Sequence, residues 1–164
     1  MLNAEELKAS LAEEIRIIRH LGTKVDPEQL DWRPTAGQRS TIELMRYLTQ
    51  CGIVPVRAML AGDWSGAGKT PTEIAEMTLD GFDAAMERQQ SELNAALDEL
   101  GDAQLMEREG KLPWGDSLPL SQAILMTSVR FLCAYRQQLF LHAKQSGSPG
   151  LNTSNAWRGM DSPA

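Results

Sequence analysis

Apolar residues recur at spacings of three and four in four separate segments and almost nowhere with the alternation of a strand, so the chain is expected to fold as packed helices. The first segment opens at NAEE, with Asn3 as cap and Glu6 at the capping-box position, and carries Leu7, Leu11, Ile15 and Ile18. A second opens at STIE, with Ser40 as cap and Glu43 completing the box. Its apolar set is Leu44, Leu48, Cys51, Val56 and Met59, with Glu43, Arg46, Gln50 and Arg57 opposite. Pro55 predicts a kink there, because proline removes a helical hydrogen bond and crowds the preceding turn. The third opens at TPTE, with Thr70 as cap and Pro71 in the first helical position, and is expected to run to Leu97 or Leu100 across Gly81. The fourth spans Leu120 to Gln145, and LMEREGKLPW at 105–114 offers at most a short extended pair.

Residues 21–39 form a long link whose tryptophan is expected to pack on the helices, and 61–69, AGDWSGAGK, form a glycine-rich loop. With no internal repeat or domain boundary, the reading is all-α: a four-helix bundle over 1–146 with long connections, followed by a non-helical tail over 147–164. That tail is expected to be extended or partly disordered unless Trp157 pins it to the body or to a second subunit.

Function classes are narrowed mainly by charge and by what is missing. The 164 residues carry a net charge of −6 without a basic cluster, whereas a duplex-binding surface needs clustered cations to displace counterions; nucleic acid is not an expected partner. No segment approaches the apolar length of a membrane span, and MLNAEELKAS lacks the basic start and apolar run of a signal peptide, so a cytoplasmic protein is expected. Cys51 and Cys133 sit within apolar helical patterns and read as buried, reduced thiols. His20 and His142 read as helix-terminal residues, His142 as a cation suited to the helix dipole. Two histidines and two thiols argue against a His-based metal centre. GAGKT at 66–70 fails as a phosphate loop, because Asp63 stands where the first glycine is required and no strand precedes it; it reads as a flexible turn.

The stretch SVRFLCAYRQQLFLHAK, 128–144, poses the sharpest question. At about 100° per residue it gathers Val129, Leu132, Leu139, Phe140 and Ala143 on one face, with Arg136 near its middle and Phe131 and Tyr135 alongside. An isolated buried charge costs several kcal/mol, so Arg136 requires a carboxylate, a helix C-terminus, water or an anionic ligand.

Three stretches, LDWRP at 30–34, STIELMRYL at 40–48 and LSQAILMTSVRFLCAYRQQL at 120–139, resemble the DinB/YfiT-like family of four-helix bundles. There the link reads Leu-x-Trp-Arg-Pro, the next helix Ser-Ile-x-Glu-Leu-x-x-His-Leu, and the last helix His-x-x-x-His-Arg-Gly-Gln. The resemblance spans residues 1–146. It implies a zinc or nickel ion on three inward histidines, transfer or isomerisation chemistry with a low-molecular-weight thiol, and homodimers. Carried over by position, the three histidines fall on Tyr47, Phe131 and Tyr135, which become pocket candidates; Arg136 and Gln138 are retained for an anion or a structural pairing, and Gln137 replaces glycine. With all three ligand positions lost, no cofactor is expected, zinc or nickel entering only if the positional match fails. The resulting expectation is a metal-free small-molecule-binding or interaction module with a degenerate metal site and no assigned catalytic residue. A thiol-dependent transferase with unusual ligands and a purely structural homodimer are the alternatives.

Overall fold

The structure, a computed structural model, describes residues 3–163; Met1, Leu2 and Ala164, the ends of the two expected segments, lie outside the described residues. Helix α1 (Ala4–Gly22) begins as its cap predicts: the Glu6 N–H donates to Asn3 Oδ1 at 2.8 Å and the Asn3 N–H to Glu6 Oε2 at 3.0 Å. Leu7, Leu11, Ile15 and Ile18 are fully buried against the rest of the molecule.

The second expected helix is instead two, α2 (Thr41–Leu48) and α3 (Ile53–Ala61). The break precedes Pro55, and Gln89 supplies its physical reason. In a continuous helix the Gly52 N–H would donate to the Leu48 carbonyl. Here the buried Gln89 amide stands between them, its Nε2 donating to Leu48 O at 2.9 Å and its Oε1 accepting from Gly52 N at 2.8 Å and Ile53 N at 3.3 Å. The Ser128 hydroxyl takes the Gly52 carbonyl at 2.6 Å. A side chain inserted into the ladder breaks a helix without leaving buried backbone groups unpaired.

The third expected helix is also shorter at its start. A single turn, α4 (Thr72–Ala75), is followed by a 3-10 turn at Leu79–Gly81 and then α5 (Phe82–Glu107). Thr70 does not cap: its hydroxyl accepts from Gln50 Nε2 at 3.3 Å, and Pro71 takes the cap position without a side-chain bond. The Met77 carbonyl, which a continuous helix would use internally, accepts from Arg46 Nε at 2.9 Å. At Gly101, φ +63° interrupts the helical path close to the expected end at Leu100.

Strands β1 (Glu109–Lys111) and β2 (Ser117–Pro119) form a small antiparallel hairpin with Gly110 opposite Leu118; the expected extended pair is present, with its second strand beyond the stretch read for it. Helix α6 (Leu120–Ile124) runs through a π turn at Leu125–Val129 into α7 (Arg130–Ser146). Thr127 donates back to the Ala123 carbonyl at 2.7 Å, a bond that accompanies local widening of a helix. Among the described residues there are seven α-helices; α1 packs on α5 and α7, α2 on α7, and α3 on α5, around one core. No described helix is long and apolar enough to cross a membrane.

The tail is neither extended nor loose. It folds back on α1 and α7, buries Leu151, Asn155 and Ala156, and contains a π turn at Ser154–Arg158. Trp157 is not the pin, being 61% exposed. Polar contacts hold the segment: Asn155 Nδ2 lies 3.1 Å from His20 Nε2 and 2.9 Å from Asp161 Oδ1, and Lys24 pairs with Asp161 at 2.8 Å. Such long-range polar contacts leave no periodicity for a sequence reading to detect.

The 21–39 link is secured through Trp32, whose ring meets that of His142 edge-on at 5.1 Å while its carbonyl accepts from Thr41 N at 2.9 Å. His142 is therefore not a solvent-facing terminal cation. It is 4% exposed, its Nδ1 lies 3.3 Å from Thr41 Oγ1, and burial lowers its pKa below the usual 6.5. Burial lowers His20 in the same direction. A histidine with a depressed folded pKa binds fewer protons folded than unfolded, so its contribution is present above the unfolded value and lost as pH falls. Denaturation midpoints are expected to fall from pH 7.5 to pH 5.5, and His142→Asn to flatten that slope; an unchanged slope in the variant would remove His142 as a source.

Candidate functional site

Tyr47 is the last residue but one of α2, and its ring is met edge-on by Tyr135 of α7 at 4.7 Å between centroids. Arg39, at the end of the 21–39 link, lays its guanidinium 4.1 Å from the centre of the Tyr47 ring and 5.7 Å from that of Tyr135. This is cation–π geometry. Tyr47 also stands between two adjacent cavities, of about 360 Å³ and about 290 Å³, which share Tyr47, Gln50, Ala67 and Gly68 as walls and are taken together as the two arms of a cleft.

The larger arm carries the charged side chains: Arg39, Glu43 and Arg46 line it together with Thr70. Glu43 is already committed, its Oε2 accepting from Ser40 N at 2.7 Å and standing 3.4 Å from Arg33 Nη1; the Ser40 backbone bond is the main reason its carboxyl is held below the usual range. The smaller arm is apolar, walled by Cys51, Val54, Pro55, Trp64 and Phe131. Its roof is the glycine-rich 61–69 loop. That loop is an ordered turn: Asp63 Oδ1 accepts from Ser65 N at 2.8 Å, and the Trp64 indole N–H donates to the Lys111 carbonyl at 2.8 Å.

Tyr47 and Phe131 thus line the cleft, and Tyr135 backs Tyr47. Arg136 and Gln138 line neither arm. Arg136 pairs through Nε with Glu14 of α1 at 2.7 Å, donates from Nη1 to the Ala156 carbonyl, and lies 4.9 Å from the Trp157 ring centre. Its partner for the buried charge is a carboxylate of the same chain. Gln138 is exposed to solvent.

Whether these residues suit the zinc or nickel ion that the resemblance implies is decided by their donor atoms. Phe131 has none. Burial raises the Tyr47 phenol far above its usual range, with Cys51 and Tyr135 adding to it, so the oxygen stays protonated. The Cys51 thiol is fully buried and likewise driven up by burial. Arg39 adds a positive charge beside the Tyr47 ring. Imidazole and thiolate are what zinc and nickel favour, and among the described residues no group of three His, Cys, Asp or Glu is placed to hold a metal. The residues do not fit such an ion.

No family model and no curated protein matches the sequence. The structure is similar to that of a DinB-like protein, YjoA, from Bacillus subtilis, with a TM-score of 0.67 over 90% of this chain and 94% of that one, at 15% identity. The fold is DinB-like. At this identity the likeness concerns the fold, and the roles of residues in the cleft rest on its own geometry.

Within this DinB-like fold, sequence reasoning missed Arg39, Gln50 and Trp64. Gln50 is expected opposite the apolar face of a single helix kinked at Pro55, yet the break at 49–52 leaves it buried on the cleft wall. The pattern Gly52-x-x-Pro55, in which glycine and proline both weaken a helix, is the signal that marks this break.

Proposed function

We propose that this protein binds a small organic molecule in the Tyr47 cleft and does so without a metal. One observation carries the reading: Tyr47 and Phe131, at two of the three positions where the resemblance places histidine ligands, wall a cleft whose mouth holds a guanidinium stacked on Tyr47. An aromatic wall with a few placed polar groups is the usual make-up of a small-molecule site, and each arm is near the lower end of the usual pocket range, about 300–1,000 Å³.

Elemental analysis of untagged, chelator-washed protein tests the metal-free half. Less than about a tenth of an equivalent of zinc or nickel is expected, since the donors present are poor ligands; about one equivalent would overturn it. A thermal-shift screen of small metabolites tests the binding half. Compounds that raise Tm by binding the folded state should lose that effect in Tyr47→Ala, and shifts that survive the substitution would place the site elsewhere.

A further inference from the structure

We infer that the ligand of this cleft is an amphiphilic monoanion, a carboxylate on a medium-length apolar body, with its head in the Arg39–Arg46 arm and its body in the Trp64–Phe131 arm. The inference rests on the cleft being a binding site and adds the chemical class of its occupant.

The two arms differ in character and meet at one residue. In the polar arm, Arg46 is fixed by its Nε bond to the Met77 carbonyl, and no acceptor among the described residues takes its Nη groups. Arg39 makes no hydrogen bond or ion pair among the described residues; ring faces alone position it. Glu43, the single carboxylate lining the arm, offsets at most one of the two guanidiniums and is itself shared with the Ser40 N–H and Arg33, so the lining stays net positive. A chain with a net charge of −6 therefore concentrates uncompensated positive charge at one end of a cleft. Guanidinium matches a carboxylate or a phosphate with paired N–H donors, and a lining of two guanidiniums and one carboxylate, one positive charge net, suits a monoanionic carboxylate over a dianionic phosphate.

The other arm asks for the opposite chemistry. Trp64 spends its one polar atom on the Lys111 carbonyl and presents hydrocarbon to the cavity beside Val54, Pro55 and Phe131. Cys51 contributes a protonated thiol, which packs as a small apolar group. A purely polar ligand would leave this arm filled only by water, and a purely apolar one would strip water from two guanidiniums without replacing it. One molecule bridging both arms past Tyr47 satisfies each.

Isothermal titration of the full chain with decanoate and phenylpropionate tests this, with acetate as the head alone and decyltrimethylammonium as an amphiphile of opposite charge. At least one of the two amphiphilic carboxylates should bind one-to-one, decanoate pointing to an aliphatic body and phenylpropionate to an aromatic one. Acetate and decyltrimethylammonium should not bind. Arg39→Gln, at an exposed position, should weaken the carboxylate by about tenfold or more, the scale of one lost charge-assisted contact. Val54→Asp, which sets a charge in the apolar arm, should abolish binding while circular dichroism stays unchanged. Equal binding of decanoate and decyltrimethylammonium, or no effect of Arg39→Gln, would overturn the charge assignment. Tyr47-dependent binding of the cationic amphiphile alone would sink this inference and leave the binding site standing. No binding by any probe, together with no Tyr47-dependent hit in the thermal-shift screen, would sink both.

Discussion

Glu14→Ala is expected to lower stability by about 3–5 kcal/mol, because it strands a buried guanidinium. Arg136 is 2% exposed on its side chain and Glu14 17%, and the pair spans α7 and α1 at 2.7 Å. Burial raises the Glu14 carboxyl pKa, with Arg136 pulling against it. Desolvation thus outweighs the attraction of Arg136 here, and a buried pair of this kind contributes little net while costing much when halved. Two further observations separate this account from simple loss of packing. Glu14→Leu combined with Arg136→Met should recover most of the loss, though the Ala156 carbonyl then lacks its donor. Limited proteolysis of Glu14→Ala should cut first within 147–163, because Arg136, which Glu14 holds, is one of two α7 side chains that bond the tail, Arg136 at the Ala156 carbonyl and Lys144 at the Leu151 carbonyl. Urea denaturation that places Glu14→Ala within about 1 kcal/mol of the parent, the range of an exposed pair, would contradict the buried-clamp reading.

Gln89→Leu should cost about 2–4 kcal/mol, since each buried polar group left unpaired costs roughly 1–3 kcal/mol. Three backbone groups depend on that side chain: the Leu48 carbonyl and the N–H groups of Gly52 and Ile53. Partial relief is available if Gly52 N–H and Leu48 O find each other and α2 runs on into α3. Such repair would rotate Gln50 and Cys51 and deform the cleft. Gln89→Leu should therefore weaken any ligand of the cleft more than another core truncation of equal stability cost, such as Leu97→Ala on the same helix. Equal ligand affinity in the two variants would show that the break does not shape the site.

Much of the helical framework was legible in the residues. Capping boxes at Asn3–Glu6 and Ser40–Glu43 are local and self-contained, and both form as their spacing predicts. The motif TPTE has the same local form and does not cap: its helix is a single turn that starts at Thr72, and the Thr70 hydroxyl accepts from Gln50 instead. Resemblance through LDWRP and the last-helix stretch led to the fold that the comparison with YjoA supports. It also named Tyr47, Phe131 and Tyr135, residues that the structure brings to one place.

The residue pattern alone sets which segments can be helical and requires that Arg136 find a partner, since periodicity, caps and the cost of burying charge act over a few residues or on one side chain. Only the tertiary structure decided that the partner is Glu14, that the tail folds back on α1 and α7, and that Gln89 divides the second helix. These outcomes depend on contacts between residues 36 to more than 120 positions apart; Gly52 and Pro55 mark locally where the helix is weak, but no local window names the partner. The cleft depends on the break at 49–52, which sets Gln50 on the wall shared by the Arg39 arm and the Trp64 arm.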